Sequence, residues 1–272
     1  MRYIIKEEMN LHDKLNHLDT ILTGLNPLLI AFSGGVDSSF LVYRASGIKG
    51  LKMAAVTVKT IYIPDIELNE AVEFCRKHKI DHRILKMDVP DAVKNNPPDR
   101  CYLCKKHIFS KILEFASLNN FKYLADGSNI EDMNSYRPGL KALSELSVRS
   151  PLAEANLTKE EIRTALKEAG LEIWNKPSMA CLLTRLPYNT LITEKDIKMI
   201  EEAENVLFEK GFYGTRVRKH GEIARIECLQ GFMEKLINSS ERNEIIQRLK
   251  ELGFRYITVD LEGYRSGSMD NL

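Results

Sequence analysis

The sequence predicts an α/β chain, a doubly wound parallel sheet followed by a smaller C-terminal α+β unit. Three observations carry this. Short apolar runs alternate with helix-period segments up to about residue 127, a pattern that implies right-handed crossovers and a parallel sheet. A glycine turn, Ser33-Gly34-Gly35, joins the first apolar run to the first helix behind it. From Thr193 the order changes to helix, two strands, helix and strand, so two domains are expected, 1–190 and 191–272.

In chain order, Ile4, Ile5, Met9, Leu11, Leu15, Leu18 and Leu22 fall at roughly helical intervals, so an amphipathic helix precedes the first strand and covers a sheet face or a partner. LLIAF (28–32) reads as a strand and SSFLVYRAS as a helix. LKMAAVTV (51–58), HRILKM (82–87) and FKYLADG (121–127) read as further strands, separated by the helical segments IELNEAVEFCRKHK and KKHIFSKILEFASLNN. Thr158 and Glu161 form a capping box ahead of a helix closed by Gly170. WNKPSMACLLTRLPYN, punctuated by proline, reads as a loop or linker. A helix over 193–210, strands on either side of Lys219-His220-Gly221-Glu222, a helix over 232–252 and the strand FRYITVDL complete the chain.

Composition narrows the class of function. The 272 residues are 44% hydrophobic and 28% charged, an ordinary globular balance. Thirty-nine Lys and Arg against thirty-eight Asp and Glu give a net charge of +1, which argues against a dominant electrostatic hold on nucleic acid. No run approaches the ~20 apolar residues of a membrane span, and the N-terminus lacks the apolar core of a signal peptide. The expected location is the cytoplasm, where the five cysteines are not a disulfide framework. A homo-oligomer is expected.

Ser33-Gly34-Gly35-Val36-Asp37-Ser38-Ser39 lies between strand and helix, where backbone amides and the helix dipole hold anions. Neither GxxxxGK[ST] nor GxGxxG is present, so the Walker and dinucleotide fingerprints do not apply. A plain glycine turn is the alternative. In this position SGGVDSS resembles the PP-loop of the ATP pyrophosphatases, Rossmann-like enzymes that cleave ATP between the α and β phosphates and adenylate a substrate. The resemblance implies that Ser33 to Ser39 bind the leaving pyrophosphate and that Asp37 organises Mg2+ or the loop itself. It also places adenine near Val56 to Lys59, with Thr57 and Lys59 as contacts. Asp126, in Asp126-Gly127-Ser128-Asn129, either joins the nucleotide site or forms a simple turn.

The cysteines divide into groups. Cys75, on a helix beside Phe74, and Cys228, in the strand ARIEC, read as structural. Cys181 is flanked by Met179, Ala180, Leu182 and Leu183, which suits a buried hydrophobe, but Lys176 and Arg185 are close in sequence and would favour a thiolate. Cys101 and Cys104, in PPDRCYLCKKH, form a CxxC: a redox pair, half a zinc site with His107 in reach, part of an iron-sulfur site, or coincidence.

SGGVDSS, TVKTIYIPDIELNEA, RPGLKALSEL, SPLAEANLTKEEI, KPSMACLLTRLPY, RVRKHGEIARIE and GYRSGS follow in that order across almost the whole chain. The combination is similar to the LarE family of ATP-dependent sulfur transferases, which act in nickel-pincer nucleotide synthesis. That resemblance implies a pyridinium dicarboxylate mononucleotide as substrate, ATP and Mg2+, and Cys181 at the position of the family's sulfur-donating cysteine. Members with a sacrificial cysteine lack a counterpart of Cys101 and Cys104. The pair therefore implies the version in which three cysteines hold a 4Fe-4S cluster that delivers an extra sulfide, its source unknown.

Arg216 and Arg218 lie two apart on a strand and so share a face, a spacing that suits a phosphate clamp; a solvated hairpin edge is the alternative. With the resemblance they become candidate substrate contacts, joined by Arg185 and Arg265. Rival readings are a PP-loop tRNA thiolase, which also combines CxxC with a distant third cysteine, an amidating synthetase, and a non-catalytic nucleotide-binding or sulfur-relay module.

Overall fold

The computed structural model describes residues 9–134, 138–177, 180–238, 240–265 and 267–269. Ile4 and Ile5 of the expected first helix, and Met179 beside Cys181, lie outside the described residues. The chain forms two compact units. One comprises Met1–Lys59, Asp65–Met87 and Cys101–Ser178; the other comprises Thr60–Pro64, Asp88–Arg100 and Met179–Leu272.

The first unit is built on four parallel strands, β1 (Leu28–Ala31), β2 (Met53–Lys59), β3 (His82–Lys86) and β4 (Tyr123–Ala125), in the spatial order β3-β2-β1-β4. Leu28 stands beside Met53 on one side and Tyr123 on the other. The connections run outward from β1 to β3 and then return to the opposite edge at β4. In such sheets ligands bind beyond the carboxyl ends of the strands at this switch, and here those ends lead into Ser33–Ser39 and Asp126–Asn129.

Side-chain alternation along β1 divides the core into two layers. Leu28 and Ile30 pack with Leu18 and Leu22 of α1 (Leu11–Gly24), Phe40 and Leu41 of α2 (Val36–Ser46), and Ala71 and Cys75 of α3 (Asp65–Lys77). Leu29 faces the other way, toward Phe109, Ile112 and Ala116 of α4 (Arg100–Leu118). Helix α1 therefore directs its apolar stripe onto its own sheet, and Lys14 adds an ion pair to Glu161 at 2.7 Å. Helix α4 begins at Arg100, ahead of the expected segment, which places Cys101 in its first turn and Cys104 at the start of its second. The short helices α5 (Ile130–Met133), α6 (Pro138–Glu145) and α7 (Pro151–Glu154) follow, and then α8 (Lys159–Glu168) with its Thr158–Glu161 capping box.

The second unit holds α9 (Glu194–Glu209), β5 (Arg216–His220), β6 (Ile223–Glu227), α10 (Gln230–Asn238), α11 (Arg242–Glu251) and β7 (Tyr256–Val259). Strand β6 pairs antiparallel with β5 and parallel with β7. The helix expected over 232–252 is two helices. Residues such as Asn238 and Ser240 favour local side-chain bonds over helix continuation, and Arg242 Nη1 donates to the carbonyl of Ile237 at 3.2 Å.

Two segments from the first half of the chain are hydrogen-bonded into this unit. Leu182 N donates to Tyr62 O at 3.0 Å, Ile192 N to Lys94 O at 2.7 Å and Asn189 N to Asn96 O at 3.0 Å. Asn96, in the left-handed region at φ 49°, directs its Nδ2 to the carbonyls of Leu186 and Pro187 at 3.1 and 2.9 Å.

Candidate active site

Gly34 adopts φ 75°, and a β-carbon there would lie 3.1 Å from both Ala71 Cβ and Glu67 O, so the loop requires glycine on two counts. Gly35 is the cap of α2 and offers no side-chain cap. The first-turn amides are thus left for an external anion, the way a helix start holds phosphate. The loop braces itself through its hydroxyls: Ser33 Oγ and Ser38 Oγ are 3.0 Å apart, and Ser38 Oγ donates to Gly35 O at 3.2 Å. Ser39, with Val36 and Asp37, belongs to α2 and is fully buried.

Asp37 sits in the first turn of α2 and accepts from Asn129 Nδ2 at 3.0 Å. Burial holds its carboxyl above the ordinary aspartate range and Asp132 pushes in the same direction, while the Asn129 bond pulls it down. Asn129 caps α5 in a capping box with Asp132. Gly127 supplies the close approach, since a β-carbon there would lie 2.9 Å from the N and Cα of Ser38. Asp126 is turned to its own neighbours, accepting from Ser150 Oγ at 2.7 Å and from the Ser128 hydroxyl.

Thr57 Oγ1 donates to Phe32 O at 2.7 Å and also lies 2.7 Å from His82 Nε2. With the threonine proton committed to Phe32, His82 is the donor of that second bond. Lys59 pairs with Asp65. Lys176, an unexpected partner of the loop, donates from Nζ to Gly34 O at 2.8 Å and pairs with Glu70 at 2.5 Å. Arg163 of α8 holds the approach to Lys176 through the carbonyls of Trp174 and Lys176.

The five thiols differ in environment. Cys75 is 1% exposed and burial pushes its thiol up to about 12; Cys228 is also buried and its thiol is raised for the same reason. Cys101 is exposed, and Cys104 and Cys181 are half-buried. Spacing of three on one helix puts Cys101 and Cys104 on the same side of α4, in the first unit, whereas Cys181 belongs to the second. Among the described residues there is no group of three or more His, Cys, Asp or Glu that could hold a metal ion.

Cys181 heads the turn Leu182–Arg185, and the arginines of its own unit clasp that turn. Arg185 is 0% exposed; Nε and Nη2 donate to Glu204 at 2.8 and 3.0 Å, and Nη1 donates to Ala180 O and Thr184 Oγ1 at 3.1 and 2.7 Å. Arg218 donates from Nη2 to Glu227 at 2.7 Å and from Nη1 to Thr184 O at 2.8 Å. Arg216 lies with its guanidinium 5.4 Å from the centroid of the Tyr264 ring, and burial together with the charge of Arg185 lowers its pKa. Arg216 and Arg218 are each 4% exposed, so neither lies on a solvated hairpin edge. Arg265 is exposed and pairs with Glu262 at 2.5 Å.

The structure thus gathers Ser33–Ser39, Asp37 and the segment after Asp126 at one end of the first sheet, and Cys181, Arg185 and Arg218 in the second unit. The bonds of Lys176 to Gly34 and of Asn129 to Asp37 are not readable from sequence, because the partners lie 142 and 92 residues away. For Asn129 a local signal existed in the Asn129-x-x-Asp132 capping pattern. For Lys176 there was none.

Comparison with known proteins agrees with this geometry. No family model matches the chain. It is 36% identical over 253 residues to the pyridinium-3,5-bisthiocarboxylic acid mononucleotide synthase of Lactiplantibacillus plantarum, covering 92% of this chain and 91% of that protein. The chain belongs to the LarE family. Two uncharacterised proteins are similar over nearly their full length. That of Synechocystis is 34% identical across 96% of this chain and 98% of its own. That of Methanocaldococcus jannaschii is 34% identical across 98% of both. Among the described residues no helix is long and apolar enough to cross a membrane.

Proposed function

We propose that this LarE-family chain is an ATP-dependent sulfur transferase that acts on pyridinium-3,5-biscarboxylic acid mononucleotide in nickel-pincer nucleotide synthesis. A carboxylate resists nucleophiles. Its oxygen therefore attacks the α-phosphorus of ATP, the bond to the β-phosphate oxygen breaks, and pyrophosphate departs with the electron pair. The acyl adenylate then loses AMP to a sulfur nucleophile, giving the thiocarboxylate. The observation that carries this reading is the uncapped start of α2 behind Gly34 and Gly35, with Asp37 in its first turn, on a chain alike over its length to a thiocarboxylate-forming synthase. Amides of that turn would bind the departing pyrophosphate, and Asp37 offers the hard oxygen that Mg2+ prefers.

Cys101, Cys104 and Cys181 are the three accessible thiols, and their number is that of the ligands in a 4Fe-4S cluster with one iron left open; this count and the family resemblance support the cluster, and no described group of residues is arranged to hold a metal ion. Such a cluster, when bound, supplies sulfide for transfer. The chain's own groups then fix the turn at Cys181 through Arg185 and Arg218 and bind the substrate anions through Arg216. The test is pyrophosphate release from ATP in the presence and absence of the pyridinium nucleotide. Release that depends on the nucleotide, with AMP as coproduct, is expected; ADP formation, or no nucleotide dependence, contradicts the reading.

A further inference from the structure

Arg100 differs from two other buried arginines of the second unit, Arg185 and Arg218. Arg185 is neutralised by Glu204, and Arg218 by Glu227. Arg100 is 4% exposed, yet its Nε and Nη1 are buried without a hydrogen-bond partner among the described residues. Its guanidinium lies 4.2 Å from the centroid of the Tyr188 ring, and no acidic side chain among the described residues pairs with it. An aromatic face steadies the cation but accepts neither N–H in the plane of the guanidinium. A buried guanidinium hydrogen bond left unmade is costly, and an N–H of this cation forms a charge-assisted bond with a carboxylate or phosphate oxygen.

The surroundings hold Arg100 and Tyr188 in place. Arg100 N donates to Pro97 O at 3.0 Å, which fixes the residue at the start of α4. Asn96, fully buried, ties its amide to the carbonyls of Leu186 and Pro187, and Asn189 N returns a bond to Asn96 O. Tyr188 is therefore gripped on both sides along the chain, in the same unit as Cys181. The guanidinium is thus fixed in position while two of its donors remain unused.

We propose that Arg100 is a substrate-binding residue that donates from one of its unused groups, Nε or Nη1, to an oxyanion, a carboxylate or the phosphate of the pyridinium nucleotide. The proposal rests on the function proposed above for the identity of the nucleotide. Calorimetric titration of wild type, Arg100→Met and Arg100→Lys with the pyridinium dicarboxylate mononucleotide, with ATP and with inorganic phosphate tests it, alongside thermal unfolding without ligand. The expected result is a loss of at least about tenfold in nucleotide affinity in Arg100→Met, a smaller loss in Arg100→Lys, unchanged ATP affinity, and unligated stability equal to or above wild type, because an unpaired buried charge has been removed. Nucleotide and phosphate affinities that both match wild type in Arg100→Met overturn the proposal, as does a loss of unligated stability without loss of affinity. Should wild type bind inorganic phosphate through Arg100 but not the pyridinium nucleotide, the oxyanion site stands and the functional reading fails.

Discussion

The ammonium of Lys176 donates to the carbonyl oxygen of Gly34 over 2.8 Å, so a residue close in sequence to Cys181 fixes the positive-φ glycine of the Ser33–Ser39 loop. Its charge is balanced by Glu70. Lys176→Met removes a charge-assisted bond worth about 1 to 3 kcal/mol and releases the loop. Pyrophosphate formation from ATP is expected to fall by about tenfold or more, measured as kcat/KM for ATP, while affinity for the pyridinium nucleotide holds.

Gly127 and Ser38 meet backbone to backbone. A β-carbon at residue 127 would lie 2.9 Å from Ser38 N and Cα, where no flexible side chain can yield. Gly127→Ala is expected to cost about 1 to 3 kcal/mol in denaturant unfolding and to weaken ATP binding. Gly170→Ala, at φ 71° but with open space around it, should lower stability and leave ATP affinity unchanged.

Asp37 links stability to pH. Its carboxyl is raised in the folded chain, first by burial and then by Asp132. The folded state therefore holds the proton more tightly than the unfolded one. The contribution of this group to stability is full below the ordinary aspartate value of 3.8 and is lost as pH rises through the raised folded value. Asp37→Asn is expected to unfold at a higher temperature than wild type at neutral pH and to abolish pyrophosphate release. A variant less stable than wild type at neutral pH would contradict this.

Accessible and buried thiols should separate cleanly. Cys101→Ala and Cys104→Ala alter side chains at the surface or half-buried, and unfolding should shift by no more than about 0.5 kcal/mol. Iron and acid-labile sulfide, measured after anaerobic preparation, should be lost from both. Cys75→Ser places a hydroxyl in a fully buried apolar site, and is expected to cost about 1 to 3 kcal/mol without loss of iron.

Arg185 and Arg216 can be told apart by the same approach. Glu204→Gln leaves Arg185, 0% exposed, without its counter-charge, a change expected to destabilise by about 3 to 5 kcal/mol. Arg216→Ala should instead weaken the pyridinium nucleotide and spare ATP.

Much of the fold was legible because its signals are local. The alternation from Leu28 to Ala125 and the Thr158–Glu161 cap each act within a few residues. The Ser33–Ser39 turn between β1 and α2 was readable for the same reason, as strand, paired glycines and helix are contiguous. What escaped depends on long-range pairing. Residues 60–64 and 88–100 show no periodicity that would announce their bonds to the second unit, and the spacing of Arg216 and Arg218 gave their shared face but not their burial. The break between α10 and α11 was misread because Ile237 and Ile245 keep helical spacing across the polar residues between them.

Intact-protein mass measured before and after many turnovers, with the product followed in parallel, tests the central claim most directly. The account predicts that thiocarboxylated nucleotide accumulates in excess of protein while the mass of the chain stays unchanged. Absence of that product, or loss of the elements of hydrogen sulfide from Cys181 in step with one product per chain, would contradict it.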